Sequence, residues 1–188
     1  KLEILCLNNN QITEIRGLDN LENLRVLWLK KNLISEIRGL NSLHNLEELW
    51  LKKNKISTIK NLDELKKLRY LCLCDNLIPE IKGLDSLINL RSLNLIKNKI
   101  SVITNLQHLS NLEYLDLSYN RISEIEGLAN ISNLYFLACT HNKIIQIKEL
   151  DNLKKIGTLC LEGNPIDLQK LRKDYDKTIT QKDNILTS

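Results

Sequence analysis

The chain has 188 residues, 43% of them hydrophobic, and its 6 Gly and 2 Pro exclude a collagen-like or low-complexity chain. Its length fits a single domain, and no apolar run approaches the roughly 18 residues of a membrane span. The net charge of +4, from 27 basic and 23 acidic residues, is too small to indicate nucleic acid without a localised basic patch.

An asparagine recurs every 22 residues along the chain, inside the pattern LxxLxLxxNxIxxIxxLxxLxx. The first copy begins at Leu2 and reads LEILCLNNNQITEIRGLDNLEN. Leu or Ile occupies every apolar column of the first seven copies, except at Cys139. The eighth copy begins at Ile156 and loses the pattern at Gln169. The recurring asparagines are Asn10, Asn32, Asn54, Asn76, Asn98, Asn120, Asn142 and Asn164. Such a period is the signature of a stacked repeat protein.

Each copy predicts one strand followed by a return segment. Leu5 and Leu7 alternate with variable residues, which is the period of a strand. The later apolar residues are spaced by three, which suits a short helical or 3₁₀ return. Because one copy cannot bury its own apolar face, the copies must stack into a continuous core beneath a parallel sheet. The fold class is therefore an α/β solenoid of about eight repeats.

The asparagine column fits the inside of the turn that leaves each strand. There a side-chain amide can bond the backbone groups that the bend removes from the sheet ladder. We therefore assign these eight residues a structural role.

From Leu2 to Ile166 the pattern resembles the leucine-rich repeat family. That resemblance implies a horseshoe with a concave parallel sheet and short convex returns. The 22-residue form with NxIxxIxGLxxLxNL resembles the regulatory subunits of protein phosphatase 1 and related ciliary leucine-rich proteins. Bacterial internalins also use 22 residues, but they usually carry Pro where this chain has Gly17, Gly39, Gly83 and Gly127.

We predict two regions, a solenoid over 1–166 and a cap helix with a polar tail over 167–188. Leu168, Leu171 and Tyr175 fall at helical spacing and suit a helix that covers the last repeat. Phosphatase regulators of this type end in a comparable cap, although their later Leu-Pro pair is missing here. The chain also begins inside a repeat, without an initiator Met or a signal peptide, which predicts a piece of a longer protein.

The sequence carries no pattern of a catalytic site, so we predict no enzyme, no metal and no cofactor. The three His occupy different repeat columns, and phosphate loops and nucleophile elbows are absent. Cys72 and Cys74 lie two residues apart on one strand, about 6.6 Å between Cα atoms, near the upper limit for a disulfide. We interpret the five Cys as reduced thiols of an intracellular protein in the cytoplasm, the nucleus or a cilium.

The third, fifth, seventh and eighth positions of each copy should line the concave face. Six of the eight aromatic residues fall there: Trp28, Trp50, Tyr70, Tyr114, Tyr119 and Phe136. One interpretation is that they stack between neighbouring repeats. The other, which we favour, is that they anchor a protein partner, because the core does not need them. Beside the tryptophans lie four lysines, Lys30, Lys31, Lys52 and Lys53.

The leading hypothesis is a non-enzymatic scaffold that binds a protein with an acidic segment over the second and third repeats. The resemblance implies a phosphatase catalytic subunit or an axonemal, tubulin-like protein as that partner. The lysines have a competing interpretation as a solvated rim of the apolar face. Nucleic acid is disfavoured because the lysines cover only two repeats. A secreted adhesin is disfavoured by the free thiols and the missing export signal.

Overall fold

A computed structural model describes residues 1–148, 150–167 and 169. Each repeat contributes one short strand to a main sheet, and a second, smaller sheet forms on the return side. The strands are β1 (Ile4–Cys6), β2 (Val26–Trp28), β3 (Glu48–Trp50), β4 (Tyr70–Cys72), β5 (Ser92–Asn94), β6 (Tyr114–Asp116), β7 (Glu124–Ile125), β8 (Phe136–Ala138), β9 (Gln146–Ile147) and β10 (Thr158–Cys160).

The main sheet is parallel and eight-stranded, in the order β1-β2-β3-β4-β5-β6-β8-β10. Neighbouring strands pair residues that are one repeat apart, so that Leu49 lies between Leu27 and Leu71. These central leucines are buried and form one continuous core with the Leu and Ile of the returns. The predicted stacked parallel solenoid is confirmed.

The returns are successions of tight turns rather than long helices. In the first repeat the Leu21 amide donates to the Leu18 carbonyl at 2.9 Å, and the Leu24 amide donates to the Leu21 carbonyl at 2.9 Å. These are the i to i+3 bonds of a 3₁₀ helix. The seventh return has a regular 3₁₀ helix at Leu150–Asn152, and β7 and β9 pair in parallel on the same side.

One column of the returns has a left-handed backbone, which explains its glycines. Gly39 has φ of 68°, and a Cβ there would collide with the carbonyl oxygen of Ile15. Proline, with φ fixed near −65°, cannot occupy such a position. Asn61 stands in the same column with φ of 59°, and its side chain donates to the Ile37 carbonyl at 2.7 Å.

The asparagine column joins each repeat to the one before it. Asn76 donates through Nδ2 to the Leu73 carbonyl of its own repeat and to the Leu51 carbonyl of the preceding repeat, both at 3.0 Å. Its Oδ1 accepts from the Ile56 amide at 3.0 Å. The same three bonds recur at every asparagine of the column from Asn32 to Asn164. Each side chain thus satisfies backbone groups that the turn removes from the ladder.

The main sheet extends to β10, and Asn164 closes the turn after it. The predicted cap helix, with Leu168, Leu171 and Tyr175, lies outside the described residues, as does the polar tail. The domain boundary at residue 166 therefore stays a prediction.

Replacing Asn98 with Ala should lower the free energy of unfolding by about 1–3 kcal/mol, because the buried Ile78 amide loses its acceptor and the Leu73 and Leu95 carbonyls each lose one of two donors. Urea unfolding followed by circular dichroism measures the change. Asn10→Ala is the matched control, since Asn10 is exposed and bonds only carbonyls of its own repeat. Equal unfolding midpoints for the wild type and Asn98→Ala would contradict this role.

Candidate functional site on the main sheet

Two tryptophans stand side by side on the open face of the main sheet. Trp28 and Trp50 are paired in register on β2 and β3 and are 36% and 40% exposed. They border a shallow hollow of about 350 Å³, which we call the tryptophan hollow. Its lining residues are Asn8, Trp28, Lys30, Trp50 and Lys52.

The polar groups of this hollow are held by local bonds. The Trp50 indole N–H donates to Glu48 Oε2 at 3.0 Å, which orients the ring. Asn8 Oδ1 accepts from the Lys30 amide at 2.7 Å across the first two repeats. The hollow therefore combines two partly exposed indoles with the side chains of Lys30 and Lys52.

The four predicted lysines divide into two pairs. Lys30 and Lys52 line the tryptophan hollow, whereas Lys31 and Lys53 lie in the turns after the strands, with φ of 55° and 56°. Lys53 also forms an exposed ion pair with Asp75 at 3.9 Å. Sequence reasoning treated the four as one cluster and missed the left-handed turn at the eighth column.

A second hollow, of about 220 Å³, continues along the sheet and shares Trp50 with the first. We call it the tyrosine hollow, and the two together the aromatic groove. The lining residues of the tyrosine hollow are Trp50, Tyr70, Leu71, Cys72, Ser92, Asn94 and Tyr114. The groove thus runs from the first repeat to the sixth.

The predicted aromatic residues fall into two groups. Tyr114 and Phe136 stack face to face on β6 and β8, with centroids 4.5 Å apart and planes 5° apart. Tyr119 stacks on His141 at 4.4 Å, in the turns after the strands. These residues therefore stack between repeats, and their predicted role in partner binding stays a prediction. Trp28, Trp50 and Tyr70 make no such stack in the described chain and keep a third or more of their surface exposed, as Tyr119 also does.

Beyond the lysines, the sheet carries a buried acidic residue. Asp116, on β6, is buried and accepts hydrogen bonds from the Ser118 amide at 3.0 Å and the Tyr114 hydroxyl at 3.2 Å. Burial and the neighbouring Asp116 carboxylate raise the pKa of Tyr114 well above its ordinary value. The Tyr114 hydroxyl therefore stays protonated and serves as a hydrogen-bond donor here.

Two thiols approach each other beside the tyrosine hollow, which Cys72 lines. The sulfurs of Cys72 and Cys74 are 3.1 Å apart, and both residues are buried. A hydrogen bond from Cys74, helped by the positive charges of Lys52 and Lys30, lowers the pKa of Cys72 to about 7. Sequence reasoning noticed the Cys-x-Cys spacing but interpreted these residues only as reduced thiols.

Sequence comparison identifies the family. The pattern described as Leucine Rich repeats (2 copies) matches successive, overlapping parts of the chain: residues 1–42, 22–67, 44–86, 88–130 and 110–155. The chain belongs to the leucine-rich repeat family. No curated protein matches its sequence closely enough to count as a relative.

Solved leucine-rich repeat structures share this fold over most or all of the chain. A leucine-rich repeat protein of Leptospira interrogans is 28% identical, with a TM-score of 0.89, over 100% of this chain and 49% of its own. An internalin of Listeria monocytogenes is 26% identical, with a TM-score of 0.86, over 100% and 56%. Internalin C2 of the same species is 33% identical, with a TM-score of 0.82, over 87% and 73%. The chain spans about half the length of the first two.

Leucine-rich repeat proteins are generally non-enzymatic scaffolds for protein–protein interaction, and their stacked repeats create extended binding surfaces. Within the described ranges, no three His, Cys, Asp or Glu side chains come together as metal ligands. Nor does any helix among those residues have the length and apolarity to cross a membrane.

Replacing Phe136 with Ala should lower the free energy of unfolding by about 1–3 kcal/mol, because the stack with Tyr114 and part of the buried ring are lost. Trp28→Ala should cost less than about 1 kcal/mol, since Trp28 lies on the open face and no ring contact in the described chain involves it. Urea titration of both variants gives the comparison. A larger loss for Trp28→Ala would show that the tryptophans serve the fold instead.

Proposed function

We propose that this leucine-rich repeat chain binds a partner protein in its aromatic groove, with an acidic segment of the partner over the tryptophan hollow. The single observation that carries the proposal is the exposed, register-paired Trp28 and Trp50 beside Lys30 and Lys52. Tryptophan and tyrosine are enriched among the residues that dominate binding energy at protein interfaces.

The physical argument is that this face has more apolar and basic surface than the fold requires. The core is already complete beneath it, because Leu27 and Leu49 are fully buried. Lysine side chains place their aliphatic stems along apolar surface and keep the charge in water. Lys30 and Lys52 thus extend the apolar wall of the hollow and attract carboxylates at its mouth.

For the partner, we propose an acidic, tubulin-like protein of the axoneme or a phosphatase catalytic subunit, the two classes implied by the sequence resemblance. The basic lining of the tryptophan hollow favours the acidic, tubulin-like protein over the phosphatase catalytic subunit. An intracellular location, in the cytoplasm, the nucleus or a cilium, belongs to the same proposal. The competing interpretation is that the lysines only form a solvated rim of the apolar face.

The proposal is tested by affinity purification from the native cell, with the wild type and the Trp28→Ala/Trp50→Ala double variant as baits. The wild type should retain proteins that bind through the groove. The double variant should bind them more weakly, by about 2 kcal/mol or more. Tyr135→Ala is the control, because Tyr135 is 61% exposed and lies outside the groove lining. Mass spectrometry then identifies tubulin-like proteins, phosphatase subunits or others.

Equal recovery of every partner by the wild type and the double variant would contradict the groove as the binding site. Thermal melts of the three baits ensure that a loss of binding is not a loss of folding. If the double variant unfolds, Trp50→Phe keeps an aromatic ring and removes the indole, and the comparison is repeated with it.

The two lysine pairs provide a charge test with matched variants. Lys30→Glu/Lys52→Glu and Lys31→Glu/Lys53→Glu change the net charge equally, but only the first pair lines the hollow. We expect the first variant to lose about tenfold or more in affinity and most of its salt dependence. The second should mainly slow association. Binding kinetics with the purified partner at two ionic strengths measure both effects. Equal losses of affinity in the two variants would support the interpretation that the lysines are only a solvated rim.

A further inference from the structure

The Cys72 and Cys74 thiols form a close pair that the proposed binding function does not use. Cys72 ends β4, and Cys74 follows two residues later on the same side of the chain. Their sulfurs are 3.1 Å apart and both thiols are free. The distance is within hydrogen-bonding range for sulfur and about 1 Å longer than a covalent disulfide bond.

The two thiols have different surroundings. Cys72 lines the tyrosine hollow with 6% of its surface exposed, so the hollow is the side from which a small molecule would approach it. Cys74 lies behind it and contacts Asn94 Oδ1 through its sulfur at 2.8 Å. That oxygen also accepts from the Ile96 amide at 3.1 Å, so the single Cys74 proton lies between two acceptors, Asn94 Oδ1 and the Cys72 sulfur.

The charges around the pair favour a proton on Cys74 and a thiolate at Cys72. Lys52 and Lys30, from the two preceding repeats, act on Cys72 in addition to the hydrogen bond from Cys74. The Cys72 sulfur and burial raise the pKa of Cys74, and Asp116 adds to this effect. Tyr114, which also faces the hollow, stays neutral. Cys72 is therefore the sulfur of the pair that ionises first and so the nucleophile.

We propose that Cys72 and Cys74 form a dithiol site that reduces hydroperoxides and closes to a reversible disulfide. Cys72 is the attacking sulfur and Cys74 the resolving sulfur. The arrangement has what thiol-based sensors need: a sulfur of lowered pKa that lines a hollow and a second thiol beside it. The inference does not depend on the proposed partner.

The chemistry balances in two steps. The Cys72 thiolate attacks the terminal oxygen of the hydroperoxide, an S–O bond forms, the O–O bond breaks, and the leaving alkoxide or hydroxide takes a proton from solvent. The Cys74 sulfur then attacks the Cys72 sulfenic acid, an S–S bond forms, and the hydroxyl leaves with the Cys74 proton as water. Two electrons pass from the two thiols to the peroxide, and a thiol reductant reverses the product.

A single tryptic peptide reports the oxidation state of the Cys72 and Cys74 pair. Trypsin cleavage after Arg69 and Lys82 releases residues 70–82, which contain Cys72 and Cys74 and no other Cys. After treatment with hydrogen peroxide and alkylation of the remaining thiols, this peptide should have lost two hydrogens, carry no alkyl group, and recover both thiols with dithiothreitol. Cys139, fully buried with a raised pKa, is the internal control and should stay reduced.

Two outcomes would overturn the proposal. In the first, both thiols of the peptide remain alkylatable after a dose that oxidises exposed Cys6. In the second, Cys72 is oxidised to sulfinic acid without any bridge, which would mean that the pair cannot close.

Variants at Cys74 separate its two roles. Cys74→Ser and Cys74→Ala both remove the resolving sulfur, so dimedone should trap the Cys72 sulfenic acid in each. Only serine keeps a hydrogen-bond donor for the thiolate. The pH midpoint of Cys72 alkylation should lie near 7 in the wild type, remain low in the serine variant, and rise by about one unit or more in the alanine variant. A midpoint above 8 in all three, with unchanged thermal melts, would refute the assigned roles.

Discussion

The structure depends on a bridge between consecutive repeats, made by one asparagine side chain in each. From Asn32 to Asn164, each such side chain bonds a carbonyl of its own repeat, a carbonyl of the preceding repeat and an amide of the preceding repeat, as Asn76 does. These groups lie where the chain leaves the sheet, so the strand ladder cannot satisfy them. A buried backbone group without a partner is costly. The bridge therefore fixes each repeat against its neighbour with no slip in register.

A fixed register turns a repeated sequence into a surface with columns. Residues one repeat apart become neighbours on adjacent strands, which is why Trp28 lies beside Trp50 and Tyr114 beside Phe136. The core leucines beneath are almost identical from repeat to repeat and leave the face free to vary. Consequently, the aromatic groove is built jointly, because the lining residues of the groove come from strands and turns of six repeats.

The chemistry of the groove changes along the sheet in a physically consistent order. At its start, exposed indoles lie beside lysines. At its centre, Trp50 separates the tryptophan hollow from the thiol pair. Beyond, Asp116 is buried against Tyr114. Lys52 belongs to both proposals, because it lines the tryptophan hollow and lowers the pKa of Cys72. A disulfide at Cys72 would alter the wall of the groove beside Trp50 and so connect oxidation with binding.

The sequence by itself determined the solenoid, its parallel sheet, its buried columns and its open face, because a strict 22-residue period leaves Leu and Ile no other way to be buried. Tertiary structure alone decided which aromatics stack, which lysines line the hollow, and how close Cys72 and Cys74 come. These outcomes depend on side-chain directions and on neighbours a repeat away, such as Asn94 against Cys74. The left-handed turn at Lys31 and Lys53 likewise cannot be predicted from residue type. The stack imposes a backbone conformation that lysine does not prefer on its own.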